Sequence, residues 1–158
     1  MFGVDRRADL AERVAALRSN GTRVVLANGC FDLLHVGHLR YLTDARSRGD
    51  VLVVAVNTDA SVRRAKGADR PLVPLDERME LIAGLGVVDL VLAFEEDTLA
   101  ETLRALRPDV HAKGTDYTVE TVPEAALDRE LGIEVAICGD PKDHDSSRLI
   151  AEAREGGG

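Results

Sequence analysis

The run Val51-Leu52-Val53-Val54-Ala55-Val56 carries no polar side chain on either face of a would-be strand. Such a strand has to be covered on both sides, which is the situation of a parallel sheet wrapped by helices. The rest of the chain agrees in period. Thr22–Ala27, Val87–Ala93, Val110–Ala112 and Ile133–Cys138 are further short apolar runs. Between them lie helical patterns with end signals. Asp5–Ser19 puts Leu10, Val14 and Leu17 on one face and stops at Asn20-Gly21. Leu39–Arg46 aligns Leu39, Leu42 and Ala45, and Gly49 stands at the position just past the helix end. Asn57-Thr58-Asp59 caps a short helix through Ala65, and Pro74 with Asp76-Glu77 opens a helix to Leu85. Asp97–Leu106, Pro123–Leu131 and Ser146–Arg154 complete the helices. Lys66–Pro74, Lys113–Val122 and Gly139–Asp145 read as loops. Five strands alternating with helices, without repeat or linker, predict a Rossmann-like α/β domain with a five-stranded parallel sheet and helices on both faces. The domain is expected over residues 3–155, with 156–158 as a disordered glycine tail.

A chain of 158 residues with 45% apolar and 30% charged residues suits one domain with a full core. Its net charge of −8 argues against non-specific binding to nucleic acid or to an anionic membrane, so any phosphate has to be met by local cations. No apolar run is long enough to span a bilayer, and Met1–Arg7 is too polar for a secretory leader. Cys30 and Cys138 then read as reduced thiols, and the expected location is the cytoplasm.

The chemistry concentrates between the first strand and the following helix, in Asn28-Gly29-Cys30-Phe31-Asp32-Leu33-Leu34-His35-Val36-Gly37-His38. A strand, a glycine turn and a helix start make an anion site, because the first helical N–H groups lack partners and the helix dipole is positive there. His35 and His38 are three apart and share a helical face, and Gly37 leaves the backbone open to a phosphate. Two surface histidines without function would not explain the accompanying glycine, phenylalanine and aspartate. A zinc pair lacks further ligands in familiar spacing, so no metal ligand is assigned. Beyond the other strand ends lie Asn57 and Asp59, then Lys113-Gly114-Thr115-Asp116-Tyr117, then Asp140, Lys142, His144, Ser146 and Ser147. In parallel sheets that end is where ligands bind.

Gly29-x-Phe31-Asp32-x-x-His35-x-Gly37-His38 resembles the signature of the cytidylyltransferase-like nucleotidyltransferases, which share a His-x-Gly-His motif. Lys113-Gly114-x-Asp116-Tyr117, with Val56-Asn57-Thr58-Asp59, Arg70-Pro71 and Arg107-Pro108-Asp109, resembles the branch of heptose 1-phosphate adenylyltransferases. The resemblance implies an enzyme that moves a nucleotidyl group from a nucleoside triphosphate to a phosphorylated sugar and releases pyrophosphate. It implies ATP and D-glycero-beta-D-manno-heptose 1-phosphate as substrates, magnesium carried with the triphosphate, and a homodimer. His35, His38 and Lys66 are the implied catalytic residues. The nucleotide is expected on Gly29, Cys30, Phe31, Gly37, Asp140, Ser146 and Ser147 together with the two histidines. The acceptor is expected on Asp32, Asn57, Asp59, Lys66, Arg78, Lys113, Gly114 and Asp116. Each feature also has a plainer reading: Lys66 as a solvated loop lysine, Ser146 as a helix cap, Asp76 and Glu77 as dipole complements. Arg78 resists one, since a cation in a first helical turn is unfavourable; it reaches a phosphate or braces an acidic neighbour. The last helix departs from the branch at Asp145, where a neutral hydroxyl is usual. Two alternatives follow: a CTP-dependent glycerol-3-phosphate cytidylyltransferase, or a catalytically silent nucleotide sensor.

Overall fold

The computed structural model describes residues 6–141 and 146–157. In chain order the elements are α1 (Arg7–Ser19), β1 (Val24–Gly29), α2 (Val36–Ser47), β2 (Val51–Asn57), α3 (Asp59–Lys66), α4 (Leu75–Ala83), β3 (Leu90–Phe94), α5 (Ala100–Leu106), β4 (Val110–Gly114), α6 (Ala125–Leu131), β5 (Glu134–Cys138) and α7 (Ser146–Gly156). The five strands form one sheet in the order β3-β2-β1-β4-β5, and every neighbouring pair is parallel. The expected Rossmann-like α/β fold is therefore the observed one.

Strand alternation splits the core into two layers. Val25, Ala27, Val54, Val56, Val110 and Ala112 pack with Leu42, Ala45, Met79 and Ile82 of α2 and α4. Val24, Leu26, Val53, Ala55 and Leu92 pack with Leu10, Val14, Leu99, Leu103 and Leu106 on the side of α1 and α5. Adjacent strand residues thus belong to opposite layers, as the two-residue period requires. Apolar area buried at roughly 25 cal/mol per Å² on both faces is what stabilises an all-parallel sheet.

Element ends differ from expectation where polar contacts decide them. β3 begins at Leu90, because Asp89 accepts the Leu52 N–H at 2.8 Å and returns its own N–H to the Leu52 carbonyl. Val87 and Val88 lie in a turn and pack on the core from there. β4 extends through Gly114, since Lys113 and Gly114 pair with Ile137 and Cys138 of β5. Lys113 is thus a strand residue. α5 begins at Ala100, and α6 at Ala125 with Glu124 as its N-cap residue. α7 reaches Gly156, so the glycine tail does not start there. Gly49 is required for space: a Cβ there would lie 2.7 Å from Val25 Cγ2 and 2.8 Å from the Arg23 carbonyl oxygen.

Candidate active site

β1 delivers the signature to the carboxyl edge of the sheet. Beyond Gly29 the chain turns at Phe31, which holds a left-handed backbone at φ 50°. That conformation costs a non-glycine residue on the order of 1 kcal/mol and persists where surrounding contacts fix it. Here the Phe31 ring folds back against Gly29, where a Cβ would approach it to 3.1 Å, and stands edge-on to His38 with centroids 5.3 Å apart.

His35 is the N-cap of α2. Its Nδ1 accepts the Gly37 N–H at 3.1 Å, and His38 Nδ1 accepts the His35 N–H at 3.3 Å. The pair is a capping box made of two imidazoles. A neutral ring that accepts at Nδ1 carries its proton on Nε2. The cap therefore turns both histidines into Nε2–H donors, and both line the cleft. Their rings stack with centroids 3.9 Å apart, so one ring cannot turn without displacing the other.

The cleft has a volume of about 380 Å³. It lies beyond the ends of β1 and β4, where the chain, having built outward through β2 and β3, returns to build the other half of the sheet. This is the crevice that open parallel sheets use for ligands. Its walls bring together Gly29, Cys30, Phe31, His35, Gly37 and His38 with Asn57, Lys66, Lys113, Gly114, Asp116, Asp140 and Ser146. Lys66 ends α3 and is exposed, followed by Gly67 at φ 110°. Lys113 is only 9% exposed; its ammonium sits 4.6 Å over the Tyr117 ring and 3.5 Å from Asn28 Oδ1. Burial pushes the Lys113 ammonium below its ordinary value, opposed by the carboxylates of Glu124, Asp128 and Asp116. Burial also pushes the Cys30 thiol up against the opposing pull of Lys66, Arg78 and Arg70, and the Cys138 thiol up to about 11. Burial thus disfavours the thiolate form of both cysteines.

Four expected contacts fall elsewhere. Asp32 is 2% exposed and does not face the cleft: it binds Arg70 Nε at 2.6 Å and the backbone N–H groups of Leu72 and Val73 at 2.8 and 3.0 Å. Its carboxyl anchors the segment after Lys66. Arg78 is fully buried, with its guanidinium on the carbonyls of Val73, Cys30 and Asn57 and on Asp59 at 2.7 Å. It braces the ends of β1 and β2 from behind, so no part of its fork reaches a substrate. Asp59 is half-buried in that ion pair and does not line the cleft. Ser147 is exposed and accepts a bond from Arg70 at 3.3 Å, whereas Ser146 lines the cleft and donates to the Leu33 carbonyl at 2.7 Å. Lys142, His144 and Asp145 lie outside the described residues.

Several lining residues carry no sequence signal of their own. Arg40 enters from the second exposed position after His38 and pairs with Asp140 at 3.2 Å. Tyr41 donates to the Ala112 carbonyl at 2.7 Å, and Thr115 donates to the Asp140 carbonyl at 2.8 Å. These contacts link β4, β5 and α2 around the same crevice. The three-residue helical spacings of Arg40 from Gly37 and of Tyr41 from His38 were the available signals for the first two; Thr115 depends on a segment distant in sequence.

The cytidylyltransferase-like family profile matches residues 26–151. The chain belongs to the cytidylyltransferase-like family of nucleotidyltransferases. Among curated proteins it is 46% identical to the bifunctional protein HldE of Pseudomonas paraeruginosa over 140 residues, covering 89% of this chain and 30% of that one. It is 54% identical to the bifunctional protein HldE of Alkalilimnicola ehrlichii over 120 residues, 76% of this chain and 25% of that one. The chain thus spans about a third or less of the length of these relatives. Among solved structures, the lipopolysaccharide core biosynthesis protein of Thermoplasma volcanium matches with a TM-score of 0.66 at 29% identity, covering 77% of this chain and all of that one. Among the described residues no helix is long and apolar enough to cross a membrane.

Proposed function

We propose that this member of the cytidylyltransferase-like family transfers the adenylyl group of ATP to a sugar 1-phosphate, D-glycero-beta-D-manno-heptose 1-phosphate, with release of pyrophosphate. The observation that carries the reading is the His35–His38 capping box, which holds two Nε2–H donors in a cleft that also contains Lys66 and Lys113. The similarity to HldE proteins and the Lys113-Gly114-Thr115-Asp116-Tyr117 loop support the sugar phosphate over other acceptors.

The attacking group is a phosphomonoester oxygen. Its second pKa is near ~6, so it is largely dianionic at neutral pH and needs no general base. The oxygen attacks the α-phosphorus in line, the bond to the bridging oxygen breaks, and pyrophosphate leaves with the electron pair. Catalysis is then positioning plus stabilisation of charge on the transferred group. His38 donates to the α-phosphate as charge develops, His35 holds the neighbouring phosphate, and Lys66 and Lys113 clamp the remaining oxygens. Asn57 and Asp116 supply polar partners to acceptor hydroxyls, and Ser146 with the α7 start faces the nucleotide. Magnesium would be carried with the triphosphate, where it would offset phosphate charge while keeping much of its water. Among the described residues no group of three or more histidine, cysteine or carboxylate side chains could hold a metal ion, so no protein ligand is assigned to it. The enzyme acts in the cytoplasm as a homodimer; sedimentation of a monomer at micromolar concentration contradicts the dimer. The test of function is pyrophosphate release across four nucleoside triphosphates and a series of phosphorylated acceptors. Turnover with CTP and glycerol 3-phosphate, and none with any sugar 1-phosphate, overturns the reading.

A further inference from the structure

Beneath the cleft floor lies a buried polar cluster that the mechanism above does not use. In β4, Val110 and Ala112 pack on the layer of α2 and α4. His111 and Lys113 therefore project to the opposite face. His111 is fully buried, with Nδ1 2.9 Å from Asp128 Oδ2 of α6, and Asp128 is fully buried too. α6 connects two adjacent parallel strands, so it runs back against β4. Glu124 precedes Asp128 by four residues, about 6 Å nearer the cleft at 1.5 Å per residue. Lys113 follows His111 by two, about 6.6 Å nearer the cleft at 3.3 Å per residue. The two elements are in step: Asp128 meets His111, and one level higher Glu124 comes level with Lys113.

Glu124 is 7% exposed. Its Oε1 accepts the Leu99 N–H at 2.9 Å, while its Oε2 and Asp128 Oδ1 are buried with no hydrogen-bond partner among the described residues. A buried carboxylate with an orphaned oxygen is costly unless a cation is close. The neighbouring cation is Lys113, itself 9% exposed. Among the described residues, β1 offers it Asn28 Oδ1, the loop after β4 offers the Tyr117 ring and Asp116, and α6 offers Glu124 and Asp128. Among the groups opposing the effect of burial on Lys113, Glu124 acts most strongly.

We propose that Glu124, backed by the His111–Asp128 pair, is the positioning residue for Lys113: its carboxylate supplies the counter-charge that holds the ammonium at the cleft floor for an incoming phosphate. The proposal rests on the nucleotidyl-transfer reading only for the identity of the group that Lys113 meets. A carboxylate that interacts through charge and not through a direct hydrogen bond keeps the ammonium charged without occupying its donors. His111 and Asp128 hold α6 against β4, which fixes the height at which Glu124 meets Lys113.

The test reads Lys113 itself. Competitive acetylation of the whole protein across a pH series, followed by mass spectrometry, gives the midpoint at which Lys113 becomes reactive. In Glu124→Gln, whose amide oxygen still accepts the Leu99 N–H, the midpoint falls by about one pH unit or more. In Glu120→Gln, an exposed carboxylate nearby, it stays at the wild-type value. An unchanged midpoint in Glu124→Gln overturns the proposal. Should that variant fail to fold, Lys113→Met provides the second readout. It strands the Glu124 carboxylate, and adding Glu124→Gln to it restores part of the lost melting temperature, whereas additive losses overturn the pairing. Neither readout uses turnover, so a protein without nucleotidyl transfer refutes the proposed function and leaves this proposal to be decided by these measurements. Where turnover is seen, Glu124→Gln raises the acceptor KM more at high pH than at low pH, because the deficit of protonated Lys113 grows as pH rises.

Discussion

His38 accepts the backbone N–H of His35 through Nδ1 at 3.3 Å while its ring stacks on the His35 ring at 3.9 Å. The same contact starts the helix and fixes the tautomer. The proposed catalytic donor and the helix cap are therefore one structure, and they cannot be altered separately.

His38→Ala should lower pyrophosphate release by about 100- to 1000-fold, the usual cost of losing one preorganised donor to transition-state charge. It should also cost about 1 kcal/mol of stability, because the cap on the His35 N–H goes with it. Turnover within a few-fold of wild type would rule out His38 as that donor.

Lys66→Ala should remove activity without removing stability. The residue is exposed at the end of α3, and such substitutions usually shift stability by less than about 0.5 kcal/mol. Melting temperature and turnover measured on one preparation separate the two. A large fall in melting temperature with turnover preserved would make Lys66 a structural residue.

Arg78→Met should behave in the opposite way. Its guanidinium satisfies three backbone carbonyls and Asp59 from a fully buried position. Removing it leaves those acceptors without their donor and should cost about 2–4 kcal/mol in urea denaturation. A loss below about 1 kcal/mol would mean that the brace contributes little to the fold.

Asp32 gives a pH signature. Desolvation pushes its carboxyl up, but the N–H groups of Val73 and Leu72 and the Arg70 guanidinium outweigh this and hold it below the ordinary carboxylate value. A carboxyl whose pKa is lowered on folding contributes stability above its unfolded value of about 3.9, and that contribution is lost as pH falls through the lower, folded value. Asp32→Asn should therefore melt well below wild type at pH 7, and the gap should close as pH drops below about 4. A gap of constant size across that range would show that charge is not what Asp32 contributes.

The sequence by itself determined the layers and the chemistry. Unbroken apolar runs such as Val51–Val56 are satisfied inside a two-sided parallel sheet, and the stretch from His35 to His38 starts its helix through contacts no longer than three residues. Gly132 at φ 71° closes α6 for an equally local reason. What the sequence could not decide was which polar groups face the cleft. Asp32 and Arg78 look like ligands when read in a line, because most of their partners are 19 to 48 residues away, from Asp59 for Arg78 at the near end to the Cys30 carbonyl for the same side chain at the far end, with Arg70 for Asp32 at 38. Lys113 looks like a loop residue until β5 pairs with it, and Arg40 becomes part of the site only when β5 brings Asp140 to within 3.2 Å of it. A polar side chain is committed by whichever complementary group the fold brings within hydrogen-bond reach, and only packing of distant segments sets that reach.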